Sequence, residues 1–282
     1  MKDNAMKIRV GYDLIHECPQ PTPMVLMLNV HHSRAADIIE ADRIHTTPSV
    51  PVTGYFDIFG NWCSRLVAPR GQIRIHGSGL VWDSGDLDPI RPDARQHAVE
   101  ELPPEVLVYL LGSRYCETDR LSHIAWQLFG NGPTGWARVQ AIVDFVHDHI
   151  KFNYADARPT RTAWEAYQEQ RGVCRDYAHL AIALCRSMNI PARYCTGYLG
   201  DIGVPAAPYP MDFSAWFEAY LDGAWHAFDP RNHVPRVGRI LIATGRDAVD
   251  VPISHTFGTT ILRQFTVITD EVPDDALPLA AE

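Results

Sequence analysis

One stretch in the second half of the chain carries apolar residues at helical spacing. The stripe consists of Tyr177, Leu180, Ala181, Leu184, Cys185 and Met188. Its spacing predicts a helix that begins after Gly172 and ends before Pro191, with Asn189 as the C-terminal cap. Cys174 would then lie in the first turn of a helix whose body is buried.

The residues that follow this helix alternate with the period of a β-strand. The pattern predicts strands at 192–199, 212–221 and 224–229. Asp222 and Gly223 stand between the last two strands, and Asp-Gly between aromatic-rich runs indicates a two-residue hairpin turn. The second half of the chain is therefore predicted to combine helices with strands.

The Asp-Gly turn also predicts how the two strands of the hairpin pair. Leu221 should face Ala224, and Trp216 should face Asp229. Because successive side chains of a strand point to opposite sides, Ser214 and Asp229 share one face. These two residues should be diagonal neighbours, roughly 7–8 Å apart.

The first third of the chain has the pattern of several short strands separated by turn residues. The predicted strands lie at 8–14, 24–30, 54–59, 62–68, 72–75 and 79–82. Gly60-Asn61 is a second two-residue hairpin signal. Such a series of short strands predicts an N-terminal β-sandwich-like domain at 1–95.

Proline, aspartate and glycine interrupt the strand pattern over 83–104, as in a linker or an exposed connection. Helical patterns follow at 105–111, 120–129, 134–150 and 162–170. We therefore predict an α+β chain, with a core at 96–270 that follows the N-terminal domain and a flexible tail at 271–282.

Composition and charge narrow the class of protein. The 282 residues are 46% hydrophobic and 21% charged, as in globular proteins, and the net charge is −9. A negative chain is not expected to bind nucleic acid or an anionic membrane surface, and no apolar run is long enough to span a bilayer. Residues 1–10 lack the apolar core of a signal peptide, so we expect a cytoplasmic protein.

Cysteine and histidine spacing gives no metal signature. The six cysteines form no C-x-x-C pair, and in a reducing cytosol they are expected to be free thiols. We predict neither a metal nor another cofactor.

Cys174 is the candidate nucleophile. The unpaired N–H groups and the positive dipole end of a helix start favour a thiolate, so we expect a lowered pKa for this thiol. The same N–H groups could hold the oxyanion that forms on an attacked carbonyl. The alternative interpretation is a small buried cysteine with no chemical role.

A set of short segments carries a resemblance to a known family. The segments are G-V-C-R-D-Y-A-H-L from Gly172, I-P-A-R-Y from Ile190, A-W-F-E-A-Y-L-D-G-A-W from Ala215 and F-D-P-R from Phe228. Together they resemble the transglutaminase-like core of bacterial cysteine proteases, over roughly the second half of the chain. The resemblance implies a papain-like α+β core, in which a cysteine begins a helix and a histidine and an aspartate lie on adjacent strands.

The resemblance assigns the nucleophile to Cys174 and the acid that orients the base to Asp229. The family's histidine belongs directly before Ala215-Trp216, where this chain has Ser214. A serine hydroxyl cannot act as a base at neutral pH. The resemblance therefore implies the fold more directly than the activity.

Two further residues complete the candidate site. The resemblance implies an aromatic side chain that helps to hold the oxyanion, and Tyr154 is the candidate by its order along the chain. Tyr154 could equally anchor a strand in the core. His233 is the candidate substitute base, because a hairpin continued past Pro230 would make it face Asp212 on the side of Asp229.

Three functions are consistent with these residues. The first is a cysteine hydrolase or acyltransferase that acts on amide bonds, in which Cys174 attacks a peptide or glutamine carbonyl and forms a thioester. The second is a catalytically silent family member that binds peptide or protein in the same groove. The third is a structural or assembly role, for which the sequence shows no feature. The expected partner is a peptide or a protein, and the sequence does not indicate an oligomeric state.

Overall fold

The computed structural model describes residues 5–273, which form fifteen strands and four α-helices. The strands are β1 (Met6–Cys18), β2 (Thr22–Leu26), β3 (Ile38–Glu40), β4 (His45–Thr47), β5 (Thr53–Phe56), β6 (Trp62–Ala68), β7 (Gly71–Asp83), β8 (Lys151–Phe152), β9 (Arg171–Gly172), β10 (Ala192–Tyr198), β11 (Ser214–Leu221), β12 (Ala224–Phe228), β13 (Ile240–Gly245), β14 (Ser254–Thr256) and β15 (Ile261–Val272). The helices are α1 (Thr118–Phe129), α2 (Trp136–His149), α3 (Ala163–Glu169) and α4 (Cys174–Ser187). Among the described helices, none has the length and apolar character that crossing a membrane requires.

Two antiparallel sheets form the β-rich part of the molecule. One has the order β15-β1-β7-β3, with β4 also paired to β7, and the other has the order β14-β2-β6-β5. Ile8, Val10, Tyr12 and Leu14 alternate along β1 and are all buried. Side chains of both sheets belong to one continuous apolar core, which also includes residues of the four α-helices and of the strands β10 to β13.

The predicted cysteine helix is present as α4, and other elements bury it on nearly all sides. Helices α1, α2 and α3 contact it, as do strands β10 and β11. Every residue from Asp176 to Ser187 is buried. Asn189 has a φ of 60°, the left-handed conformation typical of a residue that ends a helix.

The predicted hairpin is also present, in the predicted register. β11 pairs with β12 as far as Phe217 opposite Phe228. Asp222 and Gly223 have φ values of 49° and 81°, as a mirror-image two-residue turn requires. The hairpin forms one side of the sheet β12-β11-β10-β13, which together with the helices gives the predicted α+β core.

The strand pairing differs from the predicted division of the chain at residues 95 and 270. β14 pairs with β2 and β15 pairs with β1, so the last described strands complete the two N-terminal sheets and do not belong to the core sheet. β15 extends to Val272, inside the predicted tail at 271–282. Residues 274–282 of that tail lie outside the described residues.

Candidate active site

Contacts to the Asp176 carboxylate fix the start of α4 beside Cys174. The Asp176 carboxylate accepts hydrogen bonds from the Val173 N–H at 2.8 Å and from Arg161 Nη1 at 3.0 Å. Asp176 and Arg161 are both buried. A Cβ at Gly172 would lie 2.5 Å from Asp176 Oδ2, so the chain can approach this carboxylate only where the side chain is absent. These contacts make Cys174 the first residue of the helix.

Cys174 opens on a cavity of about 400 Å³, which we call the Cys174 cavity. Tyr154, Asp212 and Ser214 line it, together with the proline-rich segment 204–210. Of the six cysteines, Cys174 is the one that is not buried. The fold therefore brings Cys174, Tyr154 and Ser214 together, as the sequence predicts.

The surroundings of the Cys174 sulfur raise its pKa to about 12, the opposite of the predicted direction. Desolvation of this partly buried thiol is the largest cause, the charge of Asp212 is the next, and Asp229 acts in the same direction. The backbone N–H groups of Ala215 and Arg175 favour the thiolate but do not outweigh these effects. The prediction of a lowered pKa was wrong because it considered only the helix start.

Asp229 is buried, and its hydrogen-bond partners are not imidazoles. Asn232 donates to it from the backbone N–H at 3.0 Å and from Nδ2 at 2.7 Å, and Arg239 donates from Nη2 at 3.2 Å. The Arg239 guanidinium also binds Asp88 at 2.9 Å and lies 4.6 Å from the centre of the Trp216 ring. The predicted acid is therefore already engaged by Asn232 and Arg239.

Tyr154 lines the Cys174 cavity with its hydroxyl protonated. Partial burial, followed by the charges of Cys174 and Asp212, raises its pKa to about 12, so the hydroxyl is a donor at neutral pH. Its ring packs against Phe152 and Tyr209, with 5.0 Å between ring centres in each pair. Tyr154 lies in the 3-10 turn Tyr154–Asp156 and its side chain is exposed, so it does not anchor a strand in the core. Its hydroxyl stays the candidate donor to the oxyanion.

His233 does not line the Cys174 cavity, which contradicts the prediction that it faces the site as a substitute base. The hairpin ladder ends before Pro230, which lacks the N–H that a further pair would need. His233 has a φ of 60°, its Nε2 lies 2.8 Å from Asp144 Oδ1, and its ring stacks on His147 at 4.2 Å. Its partners are thus on α2, away from the cavity.

Among the histidines of residues 5–273, none lines the cavity in its place. Within residues 5–273, the lining of the Cys174 cavity contains neither histidine nor lysine. His179 is fully buried, and its Nε2 accepts a hydrogen bond from the Ala248 N–H at 3.1 Å. The same part of the chain contains no cluster of three or more His, Cys, Asp or Glu side chains that could hold a metal ion.

Asp212 is a member of the site that sequence reasoning did not assign. It lies two residues before Ser214 and lines the same cavity. Burial raises the pKa of its carboxyl, and the Phe213 N–H acts in the opposite direction. The available signal was strand alternation, which places Asp212 on the face of Ser214.

This chain is similar in sequence and in fold to known proteins. Residues 122–230 match the family model described as the transglutaminase-like superfamily. An uncharacterised protein of Mycobacterium leprae is 39% identical over 245 residues, which cover 78% of this chain and 80% of that protein. The crystal structure of a "Putative Cysteine Protease" from Cytophaga hutchinsonii is 29% identical, with a TM-score of 0.83, and covers 99% of this chain and 95% of its own.

Proposed function

This chain belongs to the transglutaminase-like superfamily, and from that premise we propose that it is a cysteine hydrolase or acyltransferase that acts on amide bonds through a thioester at Cys174. The observation that supports the proposal is the position of Cys174, at the start of α4 and open to a cavity that Tyr154 also lines. The structural relative described as a cysteine protease supports the same chemical class.

The proposed reaction uses the groups at the start of α4. The Cys174 sulfur attacks the carbonyl carbon of a peptide or protein substrate, and the carbonyl oxygen becomes negative. The Tyr154 hydroxyl and the unpaired N–H groups of the helix start are suitable donors for that oxygen. The carbon–nitrogen bond then breaks, and the amine leaves with the proton that the thiol loses. Water or another amine attacks the thioester, the carbon–sulfur bond breaks, and the proton of the attacking group returns to sulfur.

A second candidate is a catalytically silent member of the superfamily that binds peptide or protein in the same cavity. It is favoured by Ser214 at the histidine position and by the pKa of about 12 for the Cys174 thiol. At that pKa almost all of the sulfur is protonated at neutral pH, so the nucleophile is weak as it stands.

We include a cytoplasmic location in the proposal, because all six cysteines are free thiols, as a reducing compartment maintains them.

A substrate panel with three variants tests the proposal. Wild type, Cys174→Ala and Ser214→His are assayed on peptide amides, esters and thioesters, with His233→Ala as a control outside the cavity. We expect slow wild-type turnover, fastest on esters and thioesters, that Cys174→Ala abolishes and His233→Ala leaves intact. Ser214→His should raise amide turnover, up to about a hundredfold if the imidazole reaches the sulfur.

The two candidates give different results in this panel. A silent protein shows no wild-type turnover above that of Cys174→Ala on any substrate. Wild-type turnover that survives Cys174→Ala contradicts a thioester at this residue and excludes the proposed mechanism.

A further inference from the structure

Asp212 differs from the other carboxylate that lines the Cys174 cavity. Asp201 accepts a hydrogen bond from the Ala207 N–H at 2.7 Å and lies 4.0 Å from Arg236 Nη2. Among the described residues, no arginine, lysine or histidine forms an ion pair with Asp212, and the group that favours its charged form is the Phe213 N–H. Asp212 is therefore a partly buried carboxyl group whose charged form is not stabilised by an ion pair within the described part of the chain.

The charge of Asp212 also acts on the candidate nucleophile, Cys174. It lines the cavity with Cys174 and Ser214, and its charge acts on the Cys174 thiol more strongly than that of Asp229. The backbone N–H of Ala215, three residues further along the chain, acts on the same sulfur. Tyr154 senses the charges of both Cys174 and Asp212. The carboxyl, the thiol and the hydroxyl therefore line one cavity, and their charges affect one another's pKa.

We propose that Asp212 is the proton acceptor for Cys174 and performs the task for which the superfamily places a histidine at the position of Ser214. This inference rests on the proposed function, because it requires Cys174 to act as a nucleophile. Asp229 is not suited to this role, since Asn232 donates to both of its carboxylate oxygens and Arg239 donates to Oδ2.

The proton transfers balance over the whole cycle. As the sulfur forms its bond to the carbonyl carbon, the thiol proton passes to the Asp212 carboxylate. When the tetrahedral intermediate collapses, the bond to the leaving amine breaks and Asp212 returns the proton to that nitrogen. In the second half, Asp212 takes a proton from the attacking water, the carbon–sulfur bond breaks, and the proton returns to sulfur. No oxidation or reduction occurs.

Burial supplies a reason why a carboxylate could do this work. It raises the pKa of Asp212 towards the working pH, where a general base is most effective. The carboxylate form is needed, so turnover should be present above this raised pKa and lost as the pH falls through it. The titratable and charged groups that share the cavity are Cys174, Tyr154, Tyr209, Asp201, Arg231 and Arg236.

Two readouts on Asp212→Asn test the proposal, with 4-nitrophenyl acetate for turnover and iodoacetamide for thiol labelling. Loss of the charge should lower the pKa of Cys174 and speed its labelling, whereas loss of the base should reduce turnover about a hundredfold. Asp144→Asn removes the same charge outside the cavity and should change neither. Asp212→Glu keeps a carboxylate and should retain more turnover than Asp212→Asn.

Other outcomes overturn the proposal in distinguishable ways. Faster labelling with equal or higher turnover means that Asp212 only suppresses the thiol. Equal turnover by wild type and Cys174→Ala means that the proposed function itself fails, and this comparison does not involve Asp212. If Asp212→Asn does not fold, the acid limb of the pH–turnover profile decides, because Asp212→Glu must shift it if residue 212 is the base.

Discussion

At the scale of single residues, the protonation state of Cys174 depends on what surrounds its sulfur. The dipole and N–H groups of a helix start typically contribute about 0.3–1 kcal/mol when exposed. Burial and two carboxylates outweigh that contribution and raise the pKa to about 12. The helix start thus favours the thiolate, while the surroundings of the sulfur hold the thiol in the protonated form.

A pH series of thiol labelling checks this protonation state. Because the pKa is raised, the thiol form is favoured throughout the neutral range, and the rate of iodoacetamide labelling should rise about tenfold for each pH unit from pH 7 to pH 10. Peptide mass spectrometry at Cys174 measures the rate, with Cys174→Ser as the blank. A plateau at or below pH 9 would contradict a strongly raised pKa.

At the scale of the elements, the hairpin of β11 and β12 carries the strand that lines the cavity, and its turn depends on positive φ values. An alanine at Gly223 would meet no atom within 4 Å, so its cost is purely conformational. We expect Gly223→Ala to lower the free energy of unfolding by about 1–2 kcal/mol.

Urea unfolding measures that cost, with Asp222→Asn as the matched control. Asparagine tolerates the left-handed conformation, so the control should change the stability by less than about 0.5 kcal/mol. Equal effects of the two substitutions would mean that the turn does not depend on glycine.

The sequence predicts these elements well because their signals are local. The apolar stripe of α4 and the Asp-Gly turn lie within a few residues of the structures that they specify. The hydrogen bond between Asn232 and Asp229 could also have been predicted, because the two residues are three apart and aspartate often bonds to the backbone nearby in sequence. The contact between Arg239 and Asp229 could not have been predicted in this way, because these residues are ten apart in sequence and meet only through the fold.

The pKa of the Cys174 thiol and the absence of His233 from the site also depend on contacts that form only through the fold, so the sequence did not predict them. Desolvation of Cys174 depends on which elements pack around it in the fold, which strand periodicity does not describe. His233 was placed by extending a ladder that ends before Pro230. Both errors came from applying a rule about local structure to a property that tertiary contacts determine.

At the scale of the whole molecule, strands from the end of the described chain pair with strands from its beginning. β14 and β15 complete the two N-terminal sheets, a pairing between distant segments that no local pattern predicts. Asn61, which the sequence indicates only as a turn residue, is fully buried and exchanges hydrogen bonds of 2.8 Å with the backbone of Thr244. This contact joins the N-terminal β-rich part to the core strand β13.

Acylation of Cys174 is the event on which the proposed function depends, and the mass of the intact protein after brief mixing with 4-nitrophenyl acetate measures it most directly. We expect a gain of one acetyl group, mapped to Cys174, that disappears with time as the thioester is hydrolysed and is absent from Cys174→Ala. An unchanged mass in wild type, or an acetyl group that persists in Cys174→Ala, would contradict a thioester at this residue.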